Sequence, residues 1–425
     1  MNATTCTPTP ADPANPADAT GRASDLAAAA ISAARAPFEP PSTSPATAVA
    51  RPGITEAFIA GAGYALPHRV SQRRFLDQDE AVRRKLGQSE RTLRLARQVG
   101  ENSGILYRHF TQSCWLPEHE RPADEPDIFT GHDFNPPGWK RALEWQRVAP
   151  ALALRAAREA LAQWGGDRGE ITHVITTCTS GWSEPGISCE LIHELGLSLD
   201  TAKQELNFNG CFCGMTCLRL ARDLIRGGEA RNVLVVAVET ASVQYDPQVQ
   251  SPSQLIASSL FADGAAAFIV GREGAWQFEA AGMSLVPDSR DLLRMSPDVE
   301  GPSDTYRMFL DRRVGARLAQ YFDAQRGSQL LDQLLQRCGH HPTLAVHPGG
   351  PAILESVDAV FQRRGWGADA LAPSFEALNH TGNLGAAAMP YVLARLLPTL
   401  AGDRNVALLA FGPGVTVEWG LLRPA

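Results

Sequence analysis

The chain has 425 residues, 44% hydrophobic and 20% charged, ordinary values for a soluble globular protein with room for about three domains of roughly 150 residues. Lysine and arginine number 39 against 46 acidic residues, a net charge of −7, which argues against nucleic acid as a partner because phosphate binding relies on a basic surface. No stretch reaches the ~18 apolar residues of a membrane span, and the N-terminus lacks the basic and leucine-rich regions of a secretory signal. Eight cysteines, three of them between 211 and 217, suit a reduced cytoplasmic enzyme better than a disulfide scaffold.

In chain order, residues 1–52 stand apart: nine prolines, sixteen alanines and one aromatic residue, Phe38, leave little apolar surface to bury, so a disordered tail is expected. Phe58 to Tyr64 reads as a short strand punctuated by glycine. Residues 79–99 are charged and amphipathic, and 144–164 form a helix with an early Pro150, ended by Gly165-Gly166. Ile171 to Thr177 is a strand, Leu191 to Leu195 a short helix, and 204–209 approach a glycine turn. Cys211 to Arg226 is helical, with Leu218, Ala221, Leu224 and Ile225 at i, i+3 and i+4 spacing. Asn232 to Val238 and Gly264 to Val270 are continuous apolar runs, the pattern of strands buried on both faces. The order then repeats: a strand at 277–285, a helix at 313–337, a strand at 343–346, helices at 350–364 and 384–398, strands at 405–411 and 415–422. Alternating strands and helices predict an α/β fold. Element order alone suggests two similar halves, 53–272 and 273–425.

Four places carry candidate chemistry. In Asn209-Gly210-Cys211-Phe212-Cys213-Gly214 a cysteine sits at a glycine turn where a helix begins. Unpaired N–H groups and the helix dipole favour thiolate there, so Cys211 is expected to be a nucleophile of depressed pKa. Cys213 and Cys217 read as core residues, and a zinc site lacks a matching pair of ligands elsewhere. His347 ends a strand and is followed by Pro348-Gly349-Gly350; strand C-termini are where α/β sheets place reactive side chains. Asn383 precedes a helix rich in small residues. An N-cap explains it, and so does a carboxamide donor beside a histidine where a carbonyl oxygen gains negative charge. Gly412-Pro413-Gly414 joins two strands by a rigid turn whose glycines let the backbone approach a buried reaction centre.

At these places the sequence resembles the type III polyketide synthases, the chalcone synthase-like branch of the thiolase-fold condensing enzymes. The matching stretches are GCFCGMTCLRLARDL, SLFADGAAAFIVG, HPGGPAILESV, GNLGAAAMPYVL and FGPGVTVEWGLL, and the resemblance runs from about Phe58 to Leu422. It implies a thiolase-like five-layered αβαβα fold, a homodimer, and a Cys211, His347, Asn383 triad. Cys211 takes a starter acyl group from a thioester. His347 holds the thiolate as an ion pair and, with Asn383, binds the carbonyl oxygen of malonyl-CoA during decarboxylation. The resulting carbanion attacks the Cys211 thioester. Acyl-CoA and malonyl-CoA are the implied substrates, with no metal or organic cofactor. A ketoacyl synthase III-like single condensation, or acyl transfer alone, is the alternative.

The resemblance also implies softer assignments. Thr179 matches a cavity-lining residue. Glu184 stands where plant members carry an apolar dimer-crossing methionine, so its environment or loop path is expected to differ. Tyr245 aligns, after a one-residue gap, with a gatekeeper phenylalanine, a surface loop tyrosine being the alternative, and Phe261 is expected in the core. The lysines and arginine that bind coenzyme A phosphates in plant members correspond to Leu95, Gln98 and Asn102. Arg97 is the nearby substitute, and an acyl carrier protein is the alternative donor.

Overall fold

The computed structural model describes residues 55–129, 134–297, 306–339, 343–367, 369–400 and 404–425. The expected tail, 1–52, lies outside the described residues. The first described elements are β1 (Phe58–Ala65), β2 (His68–Ser71), α1 (Gln72–Lys85), α2 (Glu90–Glu101), β3 (Tyr107–Phe110), α3 (Gly138–Trp164), β4 (Ile171–Thr177), α4 (Ile187–Leu195) and β5 (Ala202–Glu205). Then come α5 (Cys213–Gly227), β6 (Asn232–Thr240), α6 (Pro252–Leu260), β7 (Asp263–Gly271), β8 (Trp276–Leu285), β9 (Leu293–Pro297) and β10 (Tyr306–Leu310). The chain closes with α7 (Val314–Asp323), α8 (Gln325–Cys338), β11 (Thr343–Val346), α9 (Pro351–Arg363), α10 (Ala372–Thr381), α11 (Ala388–Leu396), β12 (Val406–Gly412) and β13 (Thr416–Pro424).

Nine strands form one mixed sheet in the order β11-β12-β13-β8-β1-β7-β6-β4-β5. The sheet is pinched at its middle, where β1 and β8 pair only through Phe58 with Gln277 and Ile59 with Trp276. On either side of that pinch the two sheet regions bury different helices. The alanine face of α3 and the apolar face of α4 pack on β4, β6 and β7. Helices α7, α8 and α9 pack on β11 and β12. Between the two regions lie α5 and α11, whose Cys217, Leu218, Met389 and Leu393 share one core with Val235, Phe268 and Leu408. The layers therefore run helix, sheet, helix, sheet, helix.

Local sequence explains the closest contacts. A Cβ on Gly63 would lie 2.4 Å from Ala160 N, and one on Gly61 2.5 Å from Ala160 O. The glycines of β1 exist because α3 rests directly on that strand. Two expected helices are each divided. Residues 79–99 break into α1 and α2, and the Ser89 hydroxyl caps the second by accepting from Thr92 N at 3.2 Å. Residues 313–337 break at Ala324, whose backbone is extended (ψ 158°). The expected 384–398 helix starts late, at Ala388, after a single tight turn at Gly385–Ala387.

Candidate active site

Three chain segments place the candidate triad on the wall of one cavity of about 730 Å³. Cys211 lies two residues before α5, not within it as the sequence suggested. It follows Gly210, whose φ of 93° takes the chain through a left-handed turn. The Gly412-Pro413-Gly414 turn packs directly on this corner. A Cβ on Gly210 would fall 2.3 Å from Pro413 Cδ, and one on Gly412 would lie 2.5 Å from Phe212 Cδ1 and 3.2 Å from Cys211 N. The expected close backbone approach is therefore present.

His347 directly follows β11 and donates its backbone N–H to Leu409 O at 2.8 Å. Two residues on, Gly349 does two things. Its missing side chain clears space, since a Cβ there would sit 3.1 Å from His347 Nε2. Its carbonyl accepts a hydrogen bond from Asn383 Nδ2 at 3.1 Å. Asn383 Oδ1 in turn accepts from Gly385 N at 2.9 Å. The capping reading of Asn383 applies to its carbonyl oxygen, which caps the following turn, while its amide faces Gly349. One amide hydrogen is engaged by Gly349 and the second is left for a ligand. Backbone pairing with Leu260 O and Ala262 N, each 2.9 Å, locks the residue in place.

The electrostatics overturn one expectation. Burial, together with the neighbouring Glu239 carboxylate, pushes the Cys211 thiol up to about 12. The helix N-terminus was expected to do the reverse. It fails because α5 begins two residues later, while Cys211 is desolvated beside an acid. Burial also lowers His347 to about 4, and its Nδ1 has no hydrogen-bond partner. Burial thus disfavours charge on both the thiol and the imidazole. Glu239 was missed from sequence. It is the penultimate residue of the fully buried strand β6 and accepts hydrogen bonds from the backbone N–H groups of Thr179 (3.1 Å), Ser180 (3.0 Å) and Ala386 (3.3 Å). Desolvation still raises its pKa. A charged residue closing an apolar run was the available signal.

The softer assignments divide. Thr179, Glu184, Tyr245, Gly412 and Pro413 line the cavity, whereas Gly414 does not. Gly414 is the turn residue, with φ 96°. Glu184 is exposed, so its carboxylate meets water and avoids the desolvation cost of an apolar pocket. Tyr245 is no surface tyrosine: it is 7% exposed and its hydroxyl donates to Asp79. Phe261, expected in the core, lines the cavity and bridges to Asn383 through its backbone. Arg97 is not at the cavity. It donates to Asp77 and Glu80 at 2.6 Å each and to Glu101 at 3.5 Å, which raises its pKa further and occupies the guanidinium that was to meet a phosphate. Cys213 and Cys217 are fully buried in the core, as expected. Among the described residues, no helix is long and apolar enough to cross a membrane.

Comparison with known proteins agrees with this geometry. The N-terminal domain of the chalcone and stilbene synthases matches residues 135–274, and their C-terminal domain matches 324–425. Bisdemethoxycurcumin synthase of Oryza sativa subsp. japonica is 32% identical over 302 residues, covering 65% of this chain and 71% of that protein. Probable polyketide synthase 1 of Dictyostelium discoideum is 24% identical over 374 residues, 86% of this chain but only 11% of that protein. Among solved structures, the C-terminal type III polyketide synthase domain of Steely1, a type I/III hybrid from Dictyostelium, superposes with a TM-score of 0.75 at 23% identity. It covers 87% of this chain and 99% of that one. PKS-I of the brown alga Ectocarpus siliculosus gives a TM-score of 0.78 with the same identity and coverage. The layered architecture is therefore the thiolase-like fold.

Proposed function

This chain belongs to the chalcone and stilbene synthase family of type III polyketide synthases, and from that premise we propose that Cys211 is its nucleophile and that His347 and Asn383 are its decarboxylation pair. The enzyme is an acyltransferase of the condensing type. Enzymes of this family use acyl-CoA and malonyl-CoA and need no metal.

The observation that carries the reading is the convergence on Gly349. One donor hydrogen-bonds its carbonyl, the other lies over its missing side chain, and both share a cavity wall with Cys211. The starter reaction begins with transfer of the Sγ proton to His347 Nε2. The thiolate attacks the starter carbonyl, the new C–Sγ bond forms as the bond to the coenzyme A sulfur breaks, and coenzyme A leaves as a thiolate that is protonated by the buffered solvent outside, so His347 keeps the Sγ proton as Nε2–H. Malonyl-CoA then binds with its thioester oxygen facing His347 Nε2–H and the unused amide hydrogen of Asn383. Loss of CO2 sends the bonding pair onto that oxygen, where two preoriented donors in a water-poor cavity stabilise the enolate. The enolate carbon attacks the Cys211 thioester, a C–C bond forms, and Sγ leaves as thiolate beside the protonated imidazole. The extended chain either returns to Cys211 or cyclises.

A cytoplasmic homodimer without added cofactor completes the proposal. The exposed Trp139 and Leu143, one turn apart on α3, and the exposed Trp182 support a self-association surface, because large exposed apolar side chains mark interfaces. Coenzyme A is the proposed carrier and an acyl carrier protein the alternative. Intact-protein mass spectrometry with a starter panel, followed by labelled malonyl-CoA, tests the scheme. Starter mass must appear on Cys211 and vanish in Cys211→Ala, and products must exceed one extension. A single extension would favour the ketoacyl synthase III-like alternative, and acylation without extension would leave only acyl transfer.

A further inference from the structure

Tyr245 lines the cavity, while its hydroxyl bonds a residue that does not. The hydroxyl donates to the carboxylate of Asp79 on α1, a residue only 4% exposed. The second oxygen of Asp79 accepts from Arg83 Nε at 2.8 Å, in an ion pair that water scarcely reaches. Arg83, itself 0% exposed, reaches on to the chain beyond Tyr245 and donates from Nη1 to Pro247 O at 3.0 Å and Val249 O at 3.1 Å. On the other side, Arg141 Nη1 donates to Tyr245 O at 2.7 Å and Val243 O at 2.6 Å. The ring stands edge-on to Trp115 at 4.9 Å and to Phe75 at 6.0 Å, and both of those also line the cavity.

Burying a carboxylate and a guanidinium is costly, and an apolar replacement of similar volume is often as stable or more so. Such a network fixes geometry when every member reaches a specific partner. Here the partners are one cavity-wall side chain and the backbone segment that carries it. None of these groups belongs to the triad.

We propose that Asp79 is a positioning residue that latches Tyr245 as a rigid wall of the cavity, and that this latch limits the length of acyl chain the enzyme accepts and extends. With the latch intact, the phenol is satisfied inside the protein and the cavity meets only an immobile ring. Without it, the ring is free to swing on a backbone still held by Arg83 and Arg141, and the cavity deepens. The inference rests on the assignment of Cys211 as the acyl carrier.

The test uses Asp79→Asn, Tyr245→Phe and the double variant of the full chain, all confirmed folded by thermal unfolding. Each is assayed for kcat/KM with short and long acyl-CoA starters, normalised to its own CO2 release from malonyl-CoA alone. We expect the long-to-short ratio to rise about tenfold in each single variant, in the range one pocket contact commands. We expect the double variant to go no further, because both changes break one contact. Tyr245→Phe keeps the ring, so it still answers the question if Asp79→Asn does not fold. An unchanged ratio in the folded variants overturns the inference, as does a double variant whose effect is the product of the singles. Failure of the wild-type protein to acylate Cys211 would instead remove the underlying assignment, so the two failures are distinct.

Discussion

The reacting side of the cavity and its aromatic wall are held in place by different means. Around Cys211, His347 and Asn383 the fixing contacts are backbone ones: the glycine corner at 210, the packed Gly-Pro-Gly turn, and carbonyl and N–H pairings at 260, 262, 349 and 409. Around Tyr245 they come from side chains: Asp79, Arg83, Arg141 and the rings of Trp115 and Phe75. Backbone fixing barely depends on which side chains surround it, so it suits chemistry that must not vary. Side-chain fixing changes with single substitutions, so it suits the part of a cavity that selects among substrates.

The largest effect expected from breaking the reacting side is in His347→Ala, where CO2 release from malonyl-CoA should fall by about 10²–10⁴-fold, the usual reach of a positioned proton-transfer and donor group. Unchanged release would leave Gly349 as a packing device only. Next, Gly412→Ala should lower kcat/KM by about 100-fold, because its methyl would meet Phe212 at 2.5 Å and an ångström of displacement at a nucleophile costs about that much. Full activity in this variant would show that the turn yields freely.

The proton state gives a sharper test. With the thiol at about 12 and the imidazole at about 4, the thiolate is scarce at neutral pH. Alkylation of resting Cys211 by iodoacetamide should then rise about tenfold per pH unit from pH 6 to 9. A preformed ion pair would instead give a rate flat across that range, since its thiolate would be fully formed throughout. The smallest effect belongs to Arg97→Ala. Its partly exposed carboxylate network should be worth about 1 kcal/mol or less, and KM for malonyl-CoA should change less than about threefold. A larger rise would return Arg97 to the role of phosphate contact.

The alternation of apolar runs with amphipathic stretches was enough to read an α/β fold, because a strand buried on both faces is apolar at every position, as β6 and β7 are. The glycine-flanked stretches around 211, 347, 383 and 412 were legible for a similar reason: tight turns and close backbone approach admit few other residues. What sequence left unread depends on partners far along the chain. Phe261 looked like core because an apolar residue reads the same against protein as against a cavity. Asp79 and Tyr245 are 166 residues apart, and nothing local in either reveals the other.

Residue types and their order, then, specified which backbone shapes were possible and which side chains had the chemistry for acyl transfer. Tertiary structure alone decided what surrounds those side chains. Helix position favours a thiolate by a local, short-range effect, whereas desolvation and the Glu239 carboxylate are imposed by the whole surrounding fold and outweigh it.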